Sequence, residues 1–489
     1  MHFVLAIPPI SATGDETYYF WVLQKWLYET REAKTSIILP PQYISALTDK
    51  SRWEFTEQSF SFNQYLPSRS IGDQVEIIPH PQIPIAQTDN SSPASRFVDL
   101  ITREKALLTD FYLETLRAVK TRTRDNVAVI TWLNNASLRS AASSLDCPLV
   151  FNELGPLRKP YYRPTAYWDR HGVNGETEVS DRWQLEKRDF ISWKTTAYPQ
   201  GGALHALRAL IADPMSHSTM KASVVRAEVG VALQVETDSN ALAYGGGWTN
   251  LALVDYVKRS EMADKSLLRL HPGGSAIYPG RIDLSPSPLE FLANINEVWT
   301  VNSSLGIEAL FWGKKARIFG DSPIKPIIQM PSDERESFLE WFILCYLVPF
   351  DLIFNFDYYV WRLAKPSVEE IAVRHIAAYE TSPKQAWQKV PFPPPADDRR
   401  LMIDFPGPQR GPVILAQQNL DLAEQQRHIE QLENNIQELH EVIEQQKKML
   451  MESDTLLIEQ EAAADENKKE LEALKSSIPF RLLRRAYLI

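Results

Sequence analysis

Short runs of β-branched and apolar residues alternate with longer helical patterns from residue 1 to about residue 330. Strands that alternate with helices in this way are typical of an α/β fold. Two groups of strands are separated by a stretch at 155–200 that is rich in Tyr, Trp, Arg and Pro and is predicted to be an irregular, ligand-binding connection. The sequence therefore predicts two successive nucleotide-binding-like halves with a cleft between them. A long helix is predicted at Arg96–Lys120, and strands are predicted at His2–Pro8, Ser36–Leu39, Val75–Ile78, Asn126–Thr131, Leu149–Phe151, Glu228–Glu236, Leu267–Leu270, Glu297–Val301 and Ala316–Phe319.

Changes in composition along the 489 residues mark the predicted boundaries. The most apolar window, WFILCYLVPF at 341–350, is too short to cross a bilayer and is predicted to be a buried helix. The predicted segments are an N-terminal Rossmann-like domain at 1–220, a second Rossmann-like domain at 221–330, a helical segment packing back at 331–390, a Pro-rich linker at 391–413, a coiled coil at 414–475 and a basic amphipathic tail at 476–489.

The predicted coiled coil rests on an apolar seam with seven-residue spacing. Its members are Leu422, Ile429, Ile436, Ile443, Leu450, Leu457, Ala464 and Leu471. Such spacing indicates helices that associate side by side, but several polar residues occupy the alternate core positions. Both a dimer and a trimer stay open. The last fifteen residues, 475–489, mix four cations (Lys475, Arg481, Arg484 and Arg485) with apolar residues, which suits an anionic membrane surface.

Charge and cysteine content exclude some classes of protein. The formal net charge of −10 argues against a general nucleic-acid binder, which would carry a basic surplus. Cys147 and Cys345, the two cysteines of the sequence, allow neither a disulfide framework nor a cysteine-based zinc site. The N-terminus lacks a basic signal-peptide region, so we expect a cytoplasmic protein.

Common cofactor motifs are missing from the sequence. There is no G-x-G-x-x-G, no G-x-x-x-x-G-K, no Asp-x-Asp and no H-E-x-x-H. We therefore expect neither a cofactor nor a catalytic metal.

Polar residues follow three strands of the second predicted half. Glu236 and Asp238 end the first, in EVGVALQVETDSN, and His271 ends the second, in LLRLHPGGS. Ser303-Ser304 opens a helix after the third, with Glu308 one turn further on. Because α/β folds bind ligands at the carboxyl ends of their strands, these residues predict a site for a phosphate-bearing ligand. Turn formation and helix capping are the structural alternatives.

These three elements resemble a known family. QVETDS, then RLHP, then VNSSLGIEALFWGKKARIFG, with Asn152-Glu153-Leu154-Gly155 earlier, resemble the Kdo transferases of bacterial capsule and O-antigen assembly, especially retaining β-Kdo transferases of the WbbB type. The resemblance covers roughly 1–385, and its specific motifs lie at 228–325. It implies a GT-B-like pair of Rossmann-like domains that needs no metal and takes Kdo (3-deoxy-D-manno-oct-2-ulosonic acid) from CMP-β-Kdo.

The resemblance also assigns roles to particular residues. Asp238 corresponds to the nucleophile and His271 to the histidine at the donor site. Ser303, Ser304 and Glu308 correspond to the residues that bind CMP.

Further assignments lack a fixed motif. Glu153 is predicted to be the acid/base residue on the facing domain. Arg163 is placed on the acceptor side. The remaining donor-side candidates, for the Kdo carboxylate or the cytosine, are Gln234, Arg269, Tyr278 and Arg281.

The expected function is transfer of β-Kdo to the end of a lipid-linked (undecaprenyl) O-polysaccharide, which caps the chain. The expected location is the inner face of the bacterial inner membrane, with oligomers formed by the coiled coil. Alternatives are a transferase for CMP-sialic acid or another CMP-ulosonate, and a non-catalytic coiled-coil membrane scaffold.

Overall fold

The computed structural model describes residues 1–12, 18–29, 34–48, 75–81, 92–200, 202–222, 224–381, 400–401, 447 and 460–476. The chain divides into two compact units, Met1–Asp404 and Phe405–Ile489. The strands are β1 His2–Ala6, β2 Thr35–Leu39, β3 Val75–Pro79, β4 Val127–Trp132, β5 Leu149–Leu154, β6 Thr165–Asp169, β7 Ala227–Ala232, β8 Ser266–Arg269, β9 Ala276–Ile277, β10 Ile295–Thr300, β11 Lys315–Ile318, β12 Leu347–Pro349 and β13 Arg400–Leu401.

Helices lie between most of these strands. They span Phe20–Glu29, Pro41–Thr48, Pro93–Thr102, Ala106–Thr123, Ala136–Ser144, Val179–Ala197, Ala203–Ile211, Pro214–Lys221, Ser239–Tyr244, Asn250–Arg259, Pro288–Ala293, Leu305–Phe311, Ser332–Trp341, Phe356–Leu363 and Val368–Thr381. None of the helices that the structure describes is both long and apolar enough to cross a membrane.

A seven-stranded sheet forms the N-terminal domain, in the order β12-β6-β5-β4-β1-β2-β3. The five strands from β5 to β3 are parallel. At the β5 edge, β6 pairs antiparallel to β5, and β12 pairs antiparallel to β6. The central strands β1, β2 and β4 are buried along their whole length, as expected for a parallel sheet covered on both faces.

The C-terminal domain is built on a parallel four-stranded sheet, in the order β11-β10-β7-β8. Two Rossmann-like sheets in one compact unit confirm the predicted α/β class and its GT-B-like pair of domains. All nine predicted strands are present, with ends shifted by a few residues.

Three sequence predictions about local structure were wrong: the irregular stretch 155–200, the single helix Arg96–Lys120 and the helical segment 331–390. The stretch 155–200 is not irregular, because it contains β6 and the helix Val179–Ala197. The residues of β6, TAYWD, are all buried and therefore show no alternation by which a strand is recognised. The helix predicted at Arg96–Lys120 is two helices, since Arg103 is extended and the Lys105 amide donates to Ser137 Oγ instead (2.9 Å).

The segment 331–390 is not purely helical. Its most apolar window, predicted to be a helix, forms a π-helical turn at Phe342–Tyr346 and then β12, which pairs with β6. The Tyr346 hydroxyl donates to Asp169 Oδ2 at the end of β6 (2.7 Å). The segment therefore completes the N-terminal sheet, which explains why it is so apolar.

Most of the C-terminal extension lies outside the described residues. The stretch 460–476 is helical, and Arg400–Leu401 pairs with β9, but the rest of the predicted linker, most of the predicted coiled coil and residues 477–489 are not described. Oligomerisation and membrane association through these segments stay predictions.

Trp341 lies at the centre of the packing between the segment 331–390 and the N-terminal domain. It is fully buried, its ring is 5.3 Å from that of Trp183, and its indole nitrogen donates to Glu186 Oε2 (2.7 Å). We predict that Trp341→Ala lowers the free energy of unfolding by about 3–5 kcal/mol in a urea titration, because a large buried ring is lost.

Leu185 provides the matched control, since it lies on the same helix as Glu186 but is 80% exposed. Leu185→Ala should change the free energy of unfolding by less than about 0.5 kcal/mol. Equal effects of the two substitutions would show that Trp341 is not part of the core.

Candidate active site

The carboxyl ends of strands from both sheets carry the polar residues singled out in the sequence. Glu153 is the penultimate residue of β5 in the N-terminal domain, whereas Asp238 follows β7 and His271 follows β8 in the C-terminal domain. Because parallel strands present their carboxyl ends at one edge, Asp238 and His271 share an edge of the second sheet. The charge of Asp238 acts on both Glu153 and His271. The three predicted catalytic residues therefore lie close enough together for Asp238 to act electrostatically on the other two.

Asp238 is the N-cap of the helix Ser239–Tyr244, called here the Asp238 helix. Its Oδ1 accepts hydrogen bonds from the amides of Asn240 (2.8 Å) and Ala241 (3.0 Å). Capping uses one oxygen, and Oδ2 has no hydrogen-bond partner among the described residues. The cap fixes the carboxylate in place and leaves one oxygen available for a substrate.

The environment of Glu153 differs from that of Asp238. Burial raises the pKa of Glu153 to about 7, and the negative charge of Asp238 contributes to the increase. The Leu154 amide donates to its Oε1 (2.8 Å), which opposes the shift without cancelling it. A carboxyl group with such a pKa exchanges protons readily near neutral pH, as a general acid/base must.

His271 Nδ1 accepts a hydrogen bond from the Gly273 amide (3.0 Å). In the neutral ring the proton is therefore on Nε2, which remains a donor. The ring is solvent-exposed at the rim of the cleft, yet the surrounding protein still withholds enough water to lower the pKa of His271. Asp238 and Glu236 partly offset this decrease.

Glu236 and Tyr278 shape the loop that carries His271. Glu236 accepts hydrogen bonds from the Ser275 amide (2.8 Å), the Ser275 hydroxyl (3.2 Å) and the Tyr278 hydroxyl (3.2 Å). Tyr278 is buried and also accepts from Asn250 Nδ2 (3.2 Å). Tyr278, predicted to contact the donor, is thus already bonded within the protein.

The helix Leu305–Phe311 begins with the two predicted serines. Ser303 Oγ accepts a hydrogen bond from the Leu305 amide (3.3 Å), whereas Ser304 is the N-cap residue but makes no side-chain capping bond. The structure therefore leaves the Ser304 hydroxyl available to a ligand, as the sequence suggested.

Glu308 is nearly buried, and this raises its pKa to about 7. The Tyr162 hydroxyl of the N-terminal domain acts on Glu308 and opposes the shift of its pKa, as do the positive charges of Arg158 and Arg269. Tyr162 in turn accepts from the indole nitrogen of Trp312 (2.9 Å). Glu308 therefore lies where the two domains meet, a position that the sequence did not indicate.

The three predicted arginines all have bonding partners within the protein. Arg163 Nε donates to the carbonyl of Leu210, at the end of a helix (3.0 Å). Arg269 forms an ion pair with Asp283 (2.5 Å). Arg281 Nη2 donates to the carbonyl that precedes β7 (2.7 Å), at the opposite end of this strand from Asp238, and lines a separate groove of about 750 Å³.

Gln234 also has a structural partner. Its Oε1 accepts from the Asn302 amide (3.3 Å), so it connects the ends of β7 and β10 beneath the predicted donor site. Gln234 and the three arginines therefore all have partners within the protein, and no contact in this structure marks them as substrate ligands.

Arg158 was missed by the sequence analysis. Its guanidinium donates to the carbonyls of Gly155 (2.6 Å) and Leu154 (3.4 Å) and forms no ion pair with any carboxylate that the structure describes. Its positive charge nevertheless acts on Glu153, His271 and Glu308. The arginine-rich composition of 155–200 was a signal for binding residues, but it did not distinguish Arg158 from its neighbours.

No three His, Cys, Asp or Glu side chains in the described part of the chain cluster closely enough to hold a metal ion. The chemistry that the site offers is that of a capped carboxylate, a second carboxyl group of raised pKa, an imidazole that can donate from Nε2, and a guanidinium that is not paired with a carboxylate among the described residues.

Comparisons with known proteins bear on the family that the chain resembles. Residues 5–178 match the profile of the Glycosyltransferase 99 family N-terminal domain, which confirms the predicted resemblance to a glycosyltransferase. No curated protein matches the sequence.

Among solved structures, the chain is similar to KpsC of Thermosulfurimonas dismutans, described as a β-Kdo 2,7 transferase. The identity is 16%, the alignment covers 54% of this chain and 89% of that chain, and the TM-score is 0.34. The spinosyn rhamnosyltransferase SpnG (10% identity, 78% and 97% covered, TM-score 0.26) and MurG of Acinetobacter baumannii (9% identity, 79% and 97% covered, TM-score 0.26) are further neighbours. TM-scores this low carry no argument about the activity of this chain.

The pKa of Glu153 can be measured without any substrate. Carbon-13 NMR of glutamate-labelled protein, with Glu153→Gln to assign the signal, should give a titration midpoint near 7. Asp238→Asn should lower this midpoint, because removing a nearby negative charge makes the ionised carboxylate less unfavourable. Asp255→Asn, on a helix outside the cleft, should leave it unchanged. A midpoint in the ordinary carboxylate range would contradict the buried, paired arrangement.

Proposed function

We propose that the chain is a glycosyltransferase that moves β-Kdo from CMP-β-Kdo to the end of a lipid-linked O-polysaccharide with retention of configuration. One observation carries the proposal: Glu153 at the carboxyl end of β5 and the N-cap carboxylate Asp238 after β7 come from different domains, yet they lie close enough to interact, and burial with a smaller contribution from the charge of Asp238 raises the pKa of Glu153 to about 7. A capped carboxylate facing a carboxyl group of raised pKa is the pair that a double displacement needs.

In the first step, Asp238 Oδ2 attacks the anomeric carbon of the sugar. The bond from this carbon to the phosphate oxygen breaks, and CMP leaves with the electron pair. The neutral His271 ring donates from Nε2 to the departing phosphate, which stabilises the charge that develops there. The product of this step is a sugar ester of Asp238.

In the second step, an acceptor hydroxyl attacks the same carbon and displaces Asp238. Glu153, in its ionised form, takes the hydroxyl proton. Two inversions give net retention, and Asp238 returns to its carboxylate form. Because Glu153 must be ionised to act as the base, the rate of transfer is expected to increase as the pH rises through about 7.

Donor recognition follows from the remaining residues. The resemblance of VNSSLGIEALF to Kdo transferases, together with the available Ser304 hydroxyl, supports a CMP site at Ser303, Ser304 and Glu308. Kdo carries a carboxylate, which requires a cation in the cleft. Arg158 suits this role better than the predicted Arg163, because its positive charge acts on Glu153, His271 and Glu308.

The acceptor and the cellular context rest on the sequence alone. We propose that the coiled coil 414–475 forms a dimer or trimer and that the tail 476–489 holds the protein at the inner face of the bacterial inner membrane. There the enzyme would cap an undecaprenyl-linked polysaccharide. A CMP-sialic acid or other CMP-ulosonate donor is the second candidate, because the same cation and nucleotide site would accept it. The third candidate is a non-catalytic coiled-coil scaffold, against which the paired carboxyl groups argue.

Asp238→Asn tests the nucleophile. Asparagine is an equally good N-cap, so the helix should be retained while the nucleophile is lost. With CMP-Kdo and a polysaccharide acceptor, sugar transfer should fall by at least about 10³-fold, an increase in barrier of about 4 kcal/mol.

Asp213 is the matched control, because it is also an N-cap carboxylate, accepting from the Met215 amide (2.8 Å), but lies outside the cleft. Asp213→Asn should keep the wild-type rate. Retention of more than about a tenth of the rate in Asp238→Asn, a barrier change under about 1.4 kcal/mol, would exclude covalent catalysis at this residue.

Calorimetry separates the nucleotide site from the carboxylate site. In the Asp238→Asn background, which prevents turnover, Arg158→Gln should weaken binding of CMP-Kdo roughly tenfold or more and leave binding of CMP unchanged, because one charge-assisted hydrogen bond is lost. Ser303→Ala with Ser304→Ala should weaken the binding of both ligands.

Ser287→Ala, at the N-cap of the helix Pro288–Ala293, is the control and should affect neither ligand. If Arg158→Gln weakens CMP binding as much as CMP-Kdo binding, Arg158 contacts the nucleotide and not the sugar. Unchanged CMP binding in the double serine variant would place the donor site elsewhere.

A further inference from the structure

The Asp238 helix connects the proposed nucleophile to the opposite domain. Asp238 caps its first turn, and Tyr244 is its last residue. The six residues Ser239–Tyr244 extend over about 9 Å at 1.5 Å per residue. A displacement of Tyr244 is therefore transmitted to Asp238 through one short, rigid element.

Tyr244 is buried against the N-terminal domain. Its ring lies directly on Gly175, where an added Cβ would be only 2.3 Å from the ring atom Cδ1. Gly175 does not have a positive φ. A glycine is needed here because of the tyrosine ring and not because of the backbone conformation.

The hydroxyl of Tyr244 accepts a hydrogen bond from Asn134 Nδ2. Asn134 is 2% exposed, and its side chain bonds both polar groups of the Val173 backbone, donating to the carbonyl (2.9 Å) and accepting from the amide (2.8 Å). Asn134, Val173 and Gly175 thus form a fitted recess, called here the Tyr244 recess.

The Tyr244 recess is itself fixed by a buried carboxylate. Asp169, at the end of β6, accepts hydrogen bonds from the amides of His171 (2.7 Å), Gly172 (2.9 Å) and Glu178 (3.0 Å) and from the Tyr346 hydroxyl. The loop containing Gly175 lies between these donors. The recess is therefore held by hydrogen bonds within the N-terminal domain as well as by Tyr244.

A second connection runs through the backbone beside the ring. The Asp321 amide donates to the Tyr244 carbonyl (2.7 Å), and Asp321 Oδ2 accepts from the Glu176 amide (3.2 Å). Glu176 follows Gly175, and Asp321 follows β11 of the C-terminal domain. The hydrogen bond of the Tyr244 hydroxyl and the link through Asp321 thus meet at the same end of the Asp238 helix.

We propose that Tyr244 is a positioning residue that holds Asp238 opposite Glu153 by seating the Asp238 helix in the Tyr244 recess. The effect on transfer rests on the proposed function, whereas the placement of the helix does not. The donor residues His271, Ser303 and Ser304 belong to the C-terminal domain, so a loosened Tyr244 should impair the encounter of the two carboxyl groups more than donor binding.

Three substitutions test the contact. Gly175→Ala inserts a methyl group where the ring lies, Tyr244→Ala removes the ring, and Tyr244→Phe removes the hydroxyl alone. The first two should lower kcat by about ten- to a hundredfold with little change in KM for the donor, since a misplacement of about 1 Å is enough to do this. Tyr244→Phe should lower kcat less than about fivefold, the cost of one hydrogen bond.

The pH profile distinguishes positioning from simple loss of stability. When Asp238 moves away and water enters the cleft, both causes of the raised pKa of Glu153 weaken, so its pKa decreases. The rising limb of the kcat profile should therefore shift to lower pH in Gly175→Ala. Tyr256→Ala, which truncates an aromatic residue packed within the C-terminal domain against Trp248 and Phe319, should leave the limb unchanged.

A double substitution tests whether the two residues act through each other. Once the ring is absent, the methyl group added by Gly175→Ala has space, so this substitution should cost little further activity in the Tyr244→Ala background. Additive losses of kcat would show that Gly175 and Tyr244 act independently and would overturn the proposal.

A measurement without substrate separates this proposal from the proposed function. Cys147 and Cys345 are buried, so spin labels can be attached at the exposed positions Leu107 and Leu242, the latter on the Asp238 helix. The distance distribution between the labels should be narrow in the wild type and in Tyr256→Ala and broad in Gly175→Ala and Tyr244→Ala. Unchanged narrow distributions in the last two variants would overturn the role of Tyr244 whatever the donor is, whereas broadening without any CMP-Kdo turnover in the wild type would contradict only the proposed function.

Discussion

Two carboxyl groups, one from each domain, lie half-buried in a cleft, where the surrounding protein partly shields them from water. This shielding is the constraint on which the rest of the site depends, because it makes the two groups sensitive to each other. Asp238 accepts hydrogen bonds from two first-turn amides of its helix. Glu153 accepts a single amide hydrogen bond, from Leu154, which does not offset the effect of burial, and its pKa rises to about 7. Different environments thus give two chemically similar side chains different tasks.

Contacts across the cleft are built partly from side chains outside the sequence motifs, namely Tyr162, Tyr244 and Asn134. Glu308 reaches Tyr162, and Tyr244 reaches Asn134, so both of these contacts place an element of the donor side directly on the N-terminal domain. Tyr244 ends the helix that Asp238 caps, and Glu308 lies on the helix that Ser304 caps. Domain placement and chemistry are therefore coupled through local structure and not only through the overall shape of the protein.

The fold could be predicted from the sequence largely because buried parallel strands are apolar and regularly spaced. The prediction failed where burial removed the alternation, as in β6, and where a strand was supplied by a distant segment, as in β12. Pairing between β6 and β12 joins residues that are far apart in sequence, and no local pattern reports such pairing.

The site could be predicted only in part for a related reason. Asp238, His271 and Ser304 lie directly after strands, so their positions follow from the order of elements along the chain. Whether an arginine is free or paired depends on neighbours from other elements. The ion pair of Arg269 with Asp283 and the isolation of Arg158 from carboxylates in the described part of the chain therefore became visible in three dimensions only.

The central claim is that Asp238 becomes covalently bonded to the transferred sugar and that Glu153 then takes the proton of the acceptor hydroxyl. The most direct measurement is mass spectrometry of the Glu153→Gln protein after mixing with CMP-Kdo in the absence of acceptor. The account predicts that the peptide containing Asp238 gains the mass of one Kdo residue and that one CMP is released per protein chain. Release of CMP with no modified peptide, or a modification on a residue other than Asp238, would contradict it.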